Sequence, residues 1–309
     1  MGKIKVSVVG AGNVGALAAK NIVTKSLADV ALVDVAEGIA KGKAIDLSQD
    51  AVLHKSDCVV EGGSDFSIMK NSRIVAVCAG QPRTPGMTRE DLIKKNSLIV
   101  KSISEQIKKY APESIIITVT NPLDIMSWYM LRLLDIQKNK LIAMGGALDT
   151  ARYHYYLSRK FSVPASKITG MVIGAHSDTM VPLVSKTVVD GRPLSEITDT
   201  KSIQELIAQT KNGGAEIVGY LKTGSAYFAP GASVALMVEA ILKDSKLILP
   251  CGTLFEGEYG IENVFLGVGV ILGKNGIEKV VEESISPDER KALEVSAEQV
   301  RKNFSEVDK

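Results

Sequence analysis

The segment Gly174-Ala-His-Ser-Asp178 places a histidine in a glycine-edged loop after an apolar run. An imidazole titrates near neutrality, so a histidine in such a loop is a candidate general acid and base. Asp149 and Arg152 lie three positions apart in a helical pattern and share one face, either as an intrahelical ion pair or as a carboxylate and a cation presented to a site. Asn121, in Val119-Thr-Asn-Pro122, closes a β-branched run. An Asn before Pro there forms a turn or offers its amide at the carboxyl edge of a sheet, where open α/β folds hold ligands. Arg83 and Arg89 stand in AGQPRTPGMTRED, residues 79–91, after the run Arg73 to Cys78. Loop arginines are most often solvated, and the alternative is a pair of cations delivered to a bound anion. The two remaining histidines, His54 and His154, fall inside helical patterns, where packing or surface roles are the default.

A second kind of chemistry is written in Gly10-Ala-Gly-Asn-Val-Gly15. A strand-like run precedes it, a helical pattern follows, and a second strand-like run, Val30 to Val33, leads to Asp34, 19 positions beyond Gly15. In that setting the first glycine permits a tight turn, the second lets backbone approach a pyrophosphate at a helix N-terminus, and the third lets helix and strand pack closely. Asp34 would accept hydrogen bonds from a ribose diol and repel a 2′-phosphate, which favours NAD over NADP. The alternative for the glycines alone is an ordinary tight turn.

Composition narrows the partners. The chain has 37 Lys+Arg against 35 Asp+Glu, a formal charge of +2, and no run of like charge suited to a phosphate backbone. Nucleic acid is therefore not expected. Cys58, Cys78 and Cys251 are odd in number, widely spaced and free of Cys-x-x-Cys spacing, so neither a disulfide framework nor a metal site is expected, and a reducing cytoplasm fits. The N-terminal run is a strand's length rather than a signal peptide or membrane span.

Elements of the right kind exist to position these groups. The runs Ile4 to Val9, Val30 to Val33, Ile74 to Cys78, Ile115 to Val119 and Leu141 to Ala143 alternate with amphipathic stretches, the signature of βαβ units and a parallel sheet covered on both faces. After about Gly145 helical patterns at Asp149 to Phe161, Ile203 to Leu221 and Ser233 to Leu242 mix with strand-like runs at Ile168 to Ile173, Thr187 to Val189, Leu247 to Cys251 and Asn263 to Leu272. Asp190-Gly191 and Lys274-Asn-Gly276 read as hairpin turns. The expected architecture is α/β: an N-terminal Rossmann doubly wound parallel sheet over residues 1–145, then an α+β substrate-binding and catalytic domain over 146–309, with the ligand cleft between them.

As a set, GAGNVG, AGQPRTPGMTREDL, TNPLD, GGALDTARYHYYLS, GAHSD and GSAYFAPGAS resemble the lactate/malate dehydrogenase family, and within it the lactate-dehydrogenase-like malate dehydrogenase branch. The resemblance implies an NAD-dependent oxidoreductase that interconverts (S)-malate and oxaloacetate. It implies His176 as proton acceptor and donor, Asp149 as its imidazole partner, and Arg89 as the cation that polarises the reacting oxygen. Arg152 is implied to clamp the C1 carboxylate, Asn121 to orient substrate, and Arg83 to read the distal carboxylate, where lactate enzymes carry Gln. Ala226 and Pro230 match positions where lactate enzymes carry bulkier or hydroxylated groups. Gly10, Ala11, Gly12, Asn13, Val14, Gly15, Asp34, Asn96, Val119 and Asn121 are implied to bind cofactor, with no metal. A homo-oligomer, most often a tetramer, is implied. Lactate dehydrogenase is the alternative within the family, and a non-catalytic NAD-binding sensor the alternative outside it.

Overall fold

A computed structural model describes residues 4–82 and 86–307, so Arg83 lies outside the described residues. The N-terminal half alternates strands and helices: β1 Lys5–Val9, α1 Asn13–Thr24, β2 Asp29–Val33, α2 Glu37–Leu53, β3 Val60–Gly63, β4 Ile74–Val77, α3 Arg89–Tyr110, β5 Ile115–Thr118, α4 Leu123–Leu134 and β6 Leu141–Ala143. Strands β4 (IVAV) and β5 (IIIT) are buried at every position. Burial on both faces is why they read as continuous apolar runs rather than alternating ones. The strands pair in parallel in the order β3-β2-β1-β4-β5-β6. That order reverses between β1 and β4, the switch point at which doubly wound sheets open a crevice for ligands.

The C-terminal half begins with α5, Gly146–Phe161, followed by the short strands β7 Ile168–Thr169, β8 Val172–Ile173, β9 Val181–Pro182, β10 Val188–Val189 and β11 Arg192–Pro193. Helices α6 Leu194–Ile197, α7 Thr200–Leu221 and α8 Phe228–Leu242 come next, then β12 Leu247–Glu256, β13 Glu262–Gly273, β14 Gly276–Val281 and α9 Pro287–Arg301. Strands β12, β13 and β14 extend the parallel sheet as an antiparallel edge, through the pairing of Gly252 with Ala143, to give nine strands. The sheet thus runs across position 145, and one main core cluster draws on both halves.

Local differences from the sequence reading have physical causes. The run Ile168 to Ile173 is broken into β7 and β8 at Gly170, whose φ of +127° turns the chain. Strand β3 has the sequence VEGG, with no apolar run to mark it. Helix α7 starts at Thr200, before the apolar periodicity begins, because the Asp199 side chain accepts the Ser202 N–H as an N-cap. Helix α8 starts at Phe228 with Pro230 in its first turn, where a missing N–H costs nothing. It lies so close to α1 that a Cβ at Gly231 would come within 2.7 Å of Leu17 Cβ. This contact holds α8 beside the first helix of the other half.

Candidate functional site

The glycine turn has the shape its sequence implies. Gly10 has φ +103°, and a Cβ there would come within 2.5 Å of the Ala79 nitrogen, so the ends of β1 and β4 meet at the switch point. A Cβ at Gly15 would sit 1.9 Å from the Gly10 carbonyl oxygen, which is why α1 packs flush on β1 only with glycine there. Gly12 differs: nothing lies within 4 Å of an added Cβ. Gly12 is the N-cap of α1, no side chain caps that helix, and its first turn carries no acid. Uncapped N–H groups beside open space are what a pyrophosphate needs.

Asp34 closes this site from the end of β2. Its two oxygens accept the main-chain N–H groups of Ala11 at 2.6 Å and Ala36 at 2.9 Å, so the carboxylate is oriented before any ligand arrives. Each oxygen retains a lone pair for a ribose hydroxyl. Lys43 on α2 donates to the Ala11 carbonyl at 2.7 Å, holding the turn from its other side. Nothing in the residues around Lys43 singles it out in the sequence.

The loop after β4 is tied to the end of β5 by Asn96 on α3. Its Oδ1 accepts the Gln81 N–H at 2.7 Å, and its Nδ2 donates to the carbonyls of Gln81 at 3.2 Å and Asn121 at 2.6 Å. Asn96 is fully buried, so it acts by holding those two main chains in place. Val119 donates its N–H to the Val77 carbonyl, and Asn121 is exposed just beyond, in a cis bond to Pro122. Arg89 is the first residue of α3, inside the capping box that Thr88 and Asp91 form on either side of it. A cation at a helix N-terminus opposes the macrodipole, and Glu90 and Asp91 offset that cost. Such a locally disfavoured choice is expected at functional positions.

The second centre is built on α5. Asp149 is 2% exposed at its side chain and has two partners: His176 Nδ1 lies 2.6 Å from Oδ2, and Arg152 Nη1 lies 3.2 Å from Oδ1. The ion pair read from the spacing is present, and the same carboxylate also meets His176. An ionised carboxylate only accepts, so Nδ1 of His176 carries the proton toward Asp149 and Nε2 is left for other chemistry. Burial works to lower the His176 pKa, but the charge and hydrogen bond of Asp149, joined by the charge of Asp124, raise it above the ordinary histidine value. Arg152 opposes that rise and lies along α7, where a Cβ at Gly214 would come within 3.4 Å of its Nη2. Among the described residues, Arg152 Nε is a buried donor with no hydrogen-bond partner. A buried guanidinium nitrogen of this kind suits a carboxylate, which could accept from the fork.

Three consecutive main-chain N–H groups fix the histidine loop. Gly174, with φ +84°, exchanges two hydrogen bonds of 2.8 Å with Gly267 of β13. Ala175 donates to Ser296 Oγ on α9 at 2.8 Å, and His176 donates to Asp124 Oδ2 on α4 at 2.9 Å. Gly145 completes the fit, since a Cβ there would meet His176 Cβ at 2.8 Å. Asp124 lies within the TNPLD motif but has no signal in sequence beyond its place after the proline, and Ser296 has none. Ser296→Ala leaves the buried Ala175 N–H without its acceptor, so unfolding in urea should show a loss of about 1–3 kcal/mol. An unchanged transition would remove Ser296 from this anchoring role. His154 has a separate fate: its Nε2 is 3.0 Å from the Gly170 carbonyl, and burial lowers its pKa, as befits a packed histidine.

A family model described as lactate/malate dehydrogenase, NAD binding domain, matches residues 4–145, and one described as lactate/malate dehydrogenase, alpha/beta C-terminal domain, matches residues 146–309. The chain belongs to the lactate/malate dehydrogenase family. Among members of that family, the malate dehydrogenase of Chlorobium chlorochromatii (strain CaD3) is 48% identical over 301 residues, covering 97% of each chain. The solved malate dehydrogenase of Cryptosporidium parvum superposes with a TM-score of 0.96 at 40% identity, covering 99% of each chain. The lactate dehydrogenase of the same organism, solved with lactic acid and NAD, gives 0.97 at 36% identity, covering 100% of this chain and 99% of that one. Backbone shape therefore does not separate the two activities within the lactate/malate dehydrogenase family. Among the described residues, no helix is long and apolar enough to cross a membrane, and no group of three or more His, Cys, Asp or Glu could hold a metal ion.

Proposed function

We propose that the protein is an NAD-dependent oxidoreductase that interconverts (S)-malate and oxaloacetate. The observation that carries the chemistry is Asp149 held between His176 and Arg152, a proton-transfer group and a carboxylate-binding cation sharing one buried anion. NAD, held at the glycine turn, would supply the acceptor for the hydride that leaves C2. The chain's residues do the rest. Nε2 of His176 accepts the hydroxyl proton, and Asp149 stabilises the imidazolium that results. Arg152 holds the C1 carboxylate, Arg89 faces the reacting oxygen, and Asn121 orients substrate. Gly10, Ala11, Gly12, Asn13, Val14, Gly15 and Asp34 receive the dinucleotide, together with the Val119 main chain and Asn121, and Asn96 contributes through the main chains of Gln81 and Asn121.

Malate is preferred to lactate on two grounds. Curated relatives at 43 to 48% identity carry the name malate dehydrogenase. The sequence also carries Arg83 in addition to Arg89, and a distal carboxylate enclosed without a cation would carry a large desolvation cost. The test is Arg83→Gln. Loss of one charge-assisted hydrogen bond is worth about 1.5–3 kcal/mol, so kcat/KM for oxaloacetate should fall roughly 10- to 150-fold while pyruvate suffers far less. A proportional loss on both keto acids would mean that Arg83 does not read the substrate.

Asp34 sets the cofactor choice. The unmodified enzyme should use NADH in preference to NADPH, and Asp34→Ser with a basic neighbour should narrow that preference. Equal kcat/KM with both cofactors in the unmodified chain would place Asp34 away from the ribose. We further assign residues 1–145 to cofactor binding and 146–309 to substrate binding and catalysis, in a cytoplasmic homotetramer.

A further inference from the structure

We propose that Asp124 is a positioning residue of the proton-transfer site, whose carboxylate fixes the His176 main chain and acts as a second anion favouring the protonated imidazole. This inference rests on the assignment of His176 as the proton-transfer group. Of the three acceptors that anchor the loop, the Gly267 carbonyl and the Ser296 hydroxyl are neutral, and only Asp124 carries charge. Anchoring alone would need no charge, since the neutral acceptors hold their N–H groups at 2.8 Å and Asp124 holds its own at 2.9 Å.

The placement of Asp124 is costly. The residue is 7% exposed, and burial pushes its carboxyl up to about 6, against the opposing effects of His176 and its N–H. It sits in the first turn of α4, where the helix N-terminus favours an anion. The groups facing this pair can be named: Asp149 and Arg152 from α5, with Gly267 from β13 and Ser296 from α9 adding no titratable side chain. Asp149 fixes the ring through Nδ1, and Asp124 fixes the backbone from the opposite end of the residue. Asp124 follows Asn121 by three positions across Pro122, so the same short segment that presents an amide to the substrate region also holds the histidine loop.

The variant that separates charge from anchoring is Asp124→Asn, whose side-chain oxygen can still accept the His176 N–H. The chain has three histidines, so ¹⁵N-histidine NMR can follow each imidazole without cofactor or substrate. In Asp124→Asn the His176 midpoint should move down by about half a pH unit or more, with His54 and His154 unmoved. The basic limb of kcat/KM for oxaloacetate should shift down in step, because reduction uses the protonated imidazole. An unmoved His176 midpoint in a folded variant overturns the proposal. If the variant does not fold, the Asp124 carboxyl can be followed by ¹³C NMR in the unmodified protein: an inflection shared with His176 supports the coupling, and its absence overturns it. Both readings are independent of substrate, so a failure here is distinct from a failure of the unmodified enzyme to reduce oxaloacetate.

Discussion

Replacing His176 with alanine should lower oxaloacetate turnover by about two to four orders of magnitude while NADH still binds, the usual worth of a positioned general acid and base. The separation follows from the architecture. His176 lies in a loop anchored to β13, α9 and α4, whereas the turn at Gly10 to Gly15 and its partner Asp34 lie at the ends of β1 and β2. The anchors of the loop are main-chain bonds, so they survive loss of the imidazole. Asp149 retains Arg152 as a partner. The check is steady-state turnover paired with NADH fluorescence titration. An alanine variant as active as its parent would remove His176 from the chemistry, and a variant that lost NADH binding would show that the two sites are not independent.

Arg89→Ala should depress turnover of every 2-keto acid tested by about two to three orders of magnitude, the range for deleting one donor aimed at developing charge. Charge on the reacting oxygen develops as hydride is transferred, so its stabilisation appears in kcat rather than in ground-state binding. Arg89 stands at the start of α3, between the Thr88 and Asp91 of a capping box. Arg83→Gln and Arg89→Ala should therefore differ in kind: the first selective among substrates, the second indifferent to them. Measuring kcat and KM separately for oxaloacetate and pyruvate distinguishes them, and a substrate-selective loss in Arg89→Ala would reverse the two assignments.

The parts of this molecule legible in sequence are those governed by short-range rules. The parallel strands are apolar throughout because both faces are covered, so Ile74 to Val77 and Ile115 to Thr118 announce themselves. Gly10 and Gly15 are legible because close approach and a positive φ tolerate no other residue there. His176, Asp149 and Arg152 are visible as candidates, and the 3.2 Å pair of Arg152 with Asp149 follows from their spacing on α5, but the meeting of His176 with Asp149 at 2.6 Å depends on how the loop after β8 packs over α5. Asp124, Ser296 and Lys43 were not legible as parts of a site. Each holds a backbone group distant in sequence through its side chain, and such a bond leaves no periodicity or spacing to read. The joining of β12 to β6 was hidden for the same reason, being a tertiary pairing between strands whose own sequences say only that they are strands.

The assignment of malate over lactate is the central claim, since the fold is shared with structures named for each activity. The most direct measurement is kcat/KM of the unmodified enzyme for oxaloacetate and for pyruvate, with NADH, under identical conditions. A cation held for the distal carboxylate predicts oxaloacetate favoured by at least about 10-fold, the lower end of what one charge-assisted hydrogen bond supplies. Pyruvate reduced as well as oxaloacetate, or better, would contradict it.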